Sequence, residues 1–132
     1  SIELKDKKGV LDPARTKKSV KMDSQKDPLD VVISTINENY KGSFTDADRV
    51  LVGTLREKLK ADKKLRKAAK VDGQQIFEKN VFPKIFDQTA QKSYIESTET
   101  YTSLFADQTK YKAIMTALAK ELYRELKNGQ EV

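Results

Sequence analysis

The stretch from Asp107 to Gly129, DQTKYKAIMTALAKELYRELKNG, constrains the chain most, because it reads as a long helix that cannot stand alone. Tyr111, Ile114, Met115, Leu118, Leu122, Tyr123 and Leu126 recur at the three-and-four spacing that lines up side chains along one side of an α-helix. Asp107 has the short acceptor side chain of an N-cap, and Gly129 is a good residue for the position just past a helix C-terminus. Lys120, Glu121, Arg124, Glu125 and Lys127 are expected on the wetter side. An apolar stripe of this length must be covered, so the earlier segments read as its partners.

Those segments carry their own start and stop signals. Asp27-Pro28 caps and opens a first helix, with proline where its missing N–H costs nothing, and Leu29, Val32, Ile33, Ile36 and Tyr40 form its stripe up to Lys41-Gly42. Thr45 followed by Asp48 is a carboxylate form of the capping box, and it opens a second helix with Leu51, Val52, Leu55 and Leu59 inward. Ala61-Asp62 reads as a break, after which Asp62 caps a short helix carrying Leu65, Ala68 and Ala69, ended by Asp72-Gly73. From Gln74 to Glu96 the residues Ile76, Phe77, Val81, Phe82, Ile85, Phe86 and Ala90 keep helical spacing, but Pro83 predicts a kink or a break near Phe82. Ser97 is a candidate cap for a further helix with Tyr101, Leu104 and Phe105.

No segment alternates over a strand length, and no period of a solenoid repeats. The expected fold is all-α, a compact bundle of about five or six helices over residues 27–129. Residues 1–26 are expected to be an extended linker, since Val20 and Met22 are all that the polar run from Thr16 to Lys26 offers to bury. At 132 residues this is one domain or slightly less. The chain opens on Ser1 and is expected to be a piece of a larger protein or a processed product.

The chain contains no His and no Cys. This removes disulfides, thiolate and histidine metal sites, cysteine catalysis and Ser-His-Asp chemistry. The Tyr residues at 94, 101, 111 and 123 fall at helical positions and read as core with a polar tip. Among paired carboxylates, Asp46/Asp48 are accounted for by capping and Glu121/Glu125 by the exposed face of the last helix; Glu96/Glu99 is the remaining pair. The five glycines are isolated, so no phosphate-cradling loop is present.

The net charge of +6 is concentrated in one window. Residues 56–70 hold 8 basic and 2 acidic groups, an excess as large as that of the whole chain. If the window is helical across the break, Arg56, Lys60, Lys63, Lys64 and Lys67 lie roughly along one side, as candidate contacts to DNA or to a partner. The plain alternative is a solvated face that keeps the domain soluble. Lysine predominates and no aromatic is interleaved, which argues against base reading and against a single-strand platform.

Taken in order, these segments resemble the C-terminal helical region of type I restriction enzyme R subunits. The pieces are Asp27-Pro28-Leu29 with Ile33 and Ile36-Asn37-Glu38, then Phe44-Thr45-Asp46-Ala47-Asp48-Arg49-Val50, then Leu59-Lys60-Ala61-Asp62-Lys63-Lys64-Leu65-Arg66. The Phe77, Phe82 and Phe86 segment follows, and then Asp107, Tyr111 and Glu121-Leu122-Tyr123-Arg124-Glu125-Leu126. The resemblance covers residues 27 to 127, with Phe-Thr-Asp-Ala-Asp-Arg and Lys-Glu-Leu-Tyr-Arg-Glu-Leu its most telling parts. Pro83 departs from it, standing where a helix-compatible residue is expected, and residues 1–26 match nothing beyond a variable linker.

The resemblance implies a bacterial, cytoplasmic parent, an ATP-dependent type I site-specific deoxyribonuclease whose nuclease and motor domains lie upstream. ATP and Mg²⁺ would belong to those domains. No catalytic, cofactor-binding or metal residue transfers to this chain. What transfers is the role of a non-catalytic module that docks motor and nuclease onto the modification (methyltransferase) and specificity subunits. The alternative is non-specific binding of DNA backbone through residues 56–70.

Overall fold

A computed structural model describes residues 27–128. The linker expected over 1–26 and the Gly129 stop signal lie outside the described residues. By internal packing the chain divides after Asp30, and apart from the first turn of the first helix the following concerns the second unit.

Asp27 Oδ1 accepts the Leu29 N–H at 2.9 Å, and Pro28 opens α1 (Pro28–Asn39) as its first residue. The capping box forms as its sequence predicts. Thr45 Oγ1 accepts the Asp48 N–H at 3.2 Å, Asp48 Oδ2 accepts the Thr45 N–H at 3.0 Å, and α2 (Asp46–Lys60) follows. Asp62 breaks the run and caps α3 (Lys63–Val71) by accepting the Leu65 N–H at 2.9 Å. After Gly73 comes a single turn, α4 (Gln74–Ile76), then a π-helical turn (Phe77–Val81), then α5 (Phe82–Glu96), without an intervening loop. Next are α6 (Thr98–Ala106) and α7 (Gln108–Lys127), the latter capped by Asp107 Oδ1 through the Thr109 and Lys110 N–H groups. Counting residues 74–96 as one run, the described residues form six helical runs and no strand, so the all-α fold stands. Among them no helix is long and apolar enough to cross a membrane.

Pro83 interrupts its helix by changing the hydrogen-bond register. Proline lacks the N–H that an α-helix would direct to residue 79, and its ring crowds that carbonyl. The chain widens just before it, and the Phe82 N–H bonds the Phe77 carbonyl five residues back. The widening also aligns the core. Residues five apart stand about 140° apart around an α-helix but come closer to one side over the wider π-turn. Phe77, Phe82 and Phe86 therefore all point inward, each 0 % exposed. Ile76, expected on that stripe, falls in the turn before the widening and is exposed.

The last helix is the hub that its stripe predicts, packing against α2, α3, the π-turn, α5 and α6. Its buried face is broader than the apolar stripe. Ile114, Ala117, Leu118, Ala119, Leu122 and Leu126 are buried, with Tyr111, Met115 and Tyr123 half-buried at the margins. Lys110 and Glu121 are buried too. This corrects the placement of Glu121 on the wet face, and the cause is that α2 lies over this side of α7.

Candidate interaction surfaces

Two charged nodes join α2 to α7, and they set which side chains remain free at the surface. In the first, Asp48 receives the Lys110 ammonium at 2.9 Å and the Ser103 hydroxyl at 3.2 Å in addition to its capping bond. Lys110 and Asp48 have side chains only 8 % and 6 % exposed. Tyr40, at the end of α1, donates its hydroxyl to Asp107 Oδ2 at 2.6 Å, and the Lys110 Nζ stands 5.8 Å from the centre of the Tyr40 ring. Gly42 leaves room for that tyrosine, since a Cβ there would lie 2.2 Å from its hydroxyl.

Burial alone would raise the Asp48 carboxyl, but the Thr45 N–H, the Lys110 ammonium and the Ser103 hydroxyl outweigh it and hold the group below its ordinary 3.8. The Tyr40 hydroxyl, followed by the Lys110 N–H, holds Asp107 below 3.8 as well. Both folded values lie below the unfolded one. Their contribution to stability is therefore complete above about pH 4 and is lost as the pH falls through the depressed values. Thermal unfolding should accordingly give a flat melting temperature at mildly acidic to neutral pH and a fall below about pH 4, with a shallower fall in Asp48→Asn. Equal acid slopes in the two proteins would contradict the assignment.

In the second node the Arg56 guanidinium grips Glu125 with both bonds from Nη2, at 2.6 and 2.8 Å, and reaches Glu57 through Nη1 at 2.9 Å. Lys60 approaches Glu125 to 3.7 Å. The first node pairs the N-terminal ends of α2 and α7 and the second their C-terminal halves, so the two helices run in the same sense.

This divides the predicted contact residues. Arg56 turns inward, its side chain 7 % exposed, and spends its charge on α7. Lys60 is partly engaged by Glu125. Lys63, Lys64 and Lys67 are exposed on α3, a separate helix beyond the break at Ala61-Asp62. Arg66 and Lys70, from the same window, join them on the outside of α3. Sequence spacing could not separate Arg56 from the lysines, because its partner stands 69 positions away.

A second surface comes from the aromatic residues. Seven rings follow one another through the fold, Tyr123, Phe77, Phe82, Phe86, Tyr111, Phe105 and Tyr94, with successive centres 5.0 to 5.9 Å apart. Tyr123 donates to the Asp72 carbonyl at 3.1 Å and Tyr111 to Asp87, so both carry the hydrogen-bonded tip expected of core tyrosines. Burial, then the Asp87 carboxylate, pushes the Tyr111 hydroxyl far above its ordinary 10.0, which keeps it neutral. The half-buried end of the series opens onto a groove of about 440 Å³ where Gln91, Phe105, Gln108, Tyr111 and Met115 come together. The groove shares Asp87 and Gln91 with a depression reaching Ile95, which is 76 % exposed. Nothing in the sequence singled out this surface, since Ile95 lies off every stripe and Met115 reads as core.

The paired carboxylates do not converge. Asp48 is enclosed by its partners while Asp46 is exposed, and Glu121 and Glu125 bond Arg124 and Arg56 respectively. Among the described residues no group of three or more metal-ligating side chains is placed to hold an ion. No protein-family model, curated protein or solved structure matches this chain.

Proposed function

We propose that the chain is a non-catalytic docking module, the C-terminal helical region of a type I restriction R subunit. In this reading it attaches an upstream motor and nuclease to a core of modification and specificity subunits. ATP, Mg²⁺ and DNA cleavage belong to the upstream domains. The observation that carries the reading is the ordered resemblance over residues 27 to 127. Its two most telling pieces contain Asp48 and Glu125, the residues that join α2 to α7, so the resemblance falls on residues that organise the fold. The groove at Phe105, Tyr111 and Met115 supports a protein partner, because half-exposed aromatic and methionine side chains are what interfaces enrich.

The test is to mix the 132-residue chain with the methyltransferase core and follow both by size exclusion. Co-elution is expected, and Ile95→Glu with Met115→Lys should weaken it by about tenfold or more, equivalent to about 1.4 kcal/mol. Clean separation of the folded chain from the core at tens of micromolar would overturn the reading.

A further inference from the structure

We infer that the outer face of α3 is a contact for the backbone of double-stranded nucleic acid, separate from the docking groove and independent of the docking reading. The helix has nine residues, KKLRKAAKV, with no acid among them. Leu65, Ala68 and Ala69 face inward and are buried. Placing the rest around the helix at 100° per residue puts Lys63, Lys67 and Lys70 along the outward line, flanked by Arg66 on one side and Lys64 on the other. All five are exposed.

Two acids of the same window are engaged elsewhere. Asp62 caps α3, and Glu57 pairs with Arg56. Among the described residues, Lys63, Lys64, Arg66 and Lys67 enter no ion pair. Lys63 and Lys64 also stand in the first turn, at the positive end of the helix dipole, with no acid in that turn. Cations there weaken a helix by a few tenths of a kcal/mol each. A negatively charged partner would remove that penalty.

The chemistry selects among polyanions. A membrane-surface helix must insert an apolar face, and in α3 Leu65, Ala68 and Ala69 are committed to the core, which leaves Val71 at its last position as the one exposed apolar side chain of the helix. A single-strand platform needs aromatic rings for base stacking, and α3 has none. Protein interfaces are depleted in lysine at their centres, whereas lysine dominates this face. A duplex backbone requires only a convex row of cations. Nine residues rise about 13 Å, which matches about four base-pair steps along the duplex axis at about 3.4 Å each.

The experiment is fluorescence anisotropy of a labelled random-sequence duplex titrated with the full 132-residue chain over a range of salt. With four phosphates neutralised, log affinity should fall against log salt with a slope of about −3.6, or about 150-fold between 50 and 200 mM. Lys63→Glu, Lys64→Glu and Lys67→Glu combined should lower affinity at 50 mM salt at least about 30-fold with unchanged circular dichroism. A charge-matched control, Lys41→Glu, Lys84→Glu and Lys120→Glu, should retain affinity within about threefold. Equal losses in the two variants would show that net charge alone is read. Absence of binding at low salt, an undiminished α3 variant, or tighter binding to single strands or to anionic vesicles would each overturn the inference.

Discussion

Asp48→Ala is expected to lower the free energy of unfolding by about 3–5 kcal/mol, the cost of leaving one member of a buried ion pair without its partner. The substitution removes the acceptor of the Thr45 N–H and of the Ser103 hydroxyl. Above all it strands the Lys110 ammonium, whose side chain is 8 % exposed. Lys110→Met should cost less. Asp48 would keep its bonds from Thr45 and Ser103, and it sits in the first turn of α2 where the helix dipole favours a carboxylate. The double variant should be no less stable than Asp48→Ala alone, because no charge is then left unpaired. Urea unfolding of the three variants measures this ranking. A loss below about 1 kcal/mol in Asp48→Ala would mean that Lys110 swings out to water, so that the pair does not hold the node together.

Phe82→Ala should cost about 3–5 kcal/mol, through lost burial and the cavity left behind. Phe82 is 0 % exposed, with the Phe77 and Phe86 ring centres 5.9 and 5.7 Å from its own. It is also the residue whose N–H closes the π-turn, so its ring packs between Phe77 and Phe86 at the widened register. Phe105→Ala, at the half-buried end of the same series, is the comparison, with an expected loss of about 1–2 kcal/mol. Chemical denaturation checks both, and equal losses would mean that the series is packed uniformly out to the groove.

These two predictions concern the frame, and the two proposed surfaces lie on it at different places. The groove is formed by α5, α6 and α7, and the basic face by α3. Variants such as Ile95→Glu and Lys63→Glu alter exposed side chains, so they can be read for binding without a large loss of stability.

The sequence alone determined where the helices begin. Asp27, Thr45, Asp62 and Asp107 each act on an N–H two or three residues away, so a short stretch contains both partners of the bond. Ser97 shows the limit of such a signal. It stands at the start of α6, but its hydroxyl bonds Thr100 Oγ1 and caps no backbone group. The apolar stripes were legible for the same reason, since helical periodicity is local, and the absence of His and Cys narrowed the chemistry before any fold was known. Tertiary structure decided the fate of the charges. Arg56 looks like the lysines that follow it, and Glu121 like the acids around it, until α7 lies against α2 and encloses both. Their burial depends on partners up to 69 positions away, which no local pattern encodes. The basic window was thereby reduced from a stripe across two helices to the outer face of α3. Whether a charge is spent inside the fold or left for a partner is a property of packing, because desolvation and pairing arise only when distant segments meet.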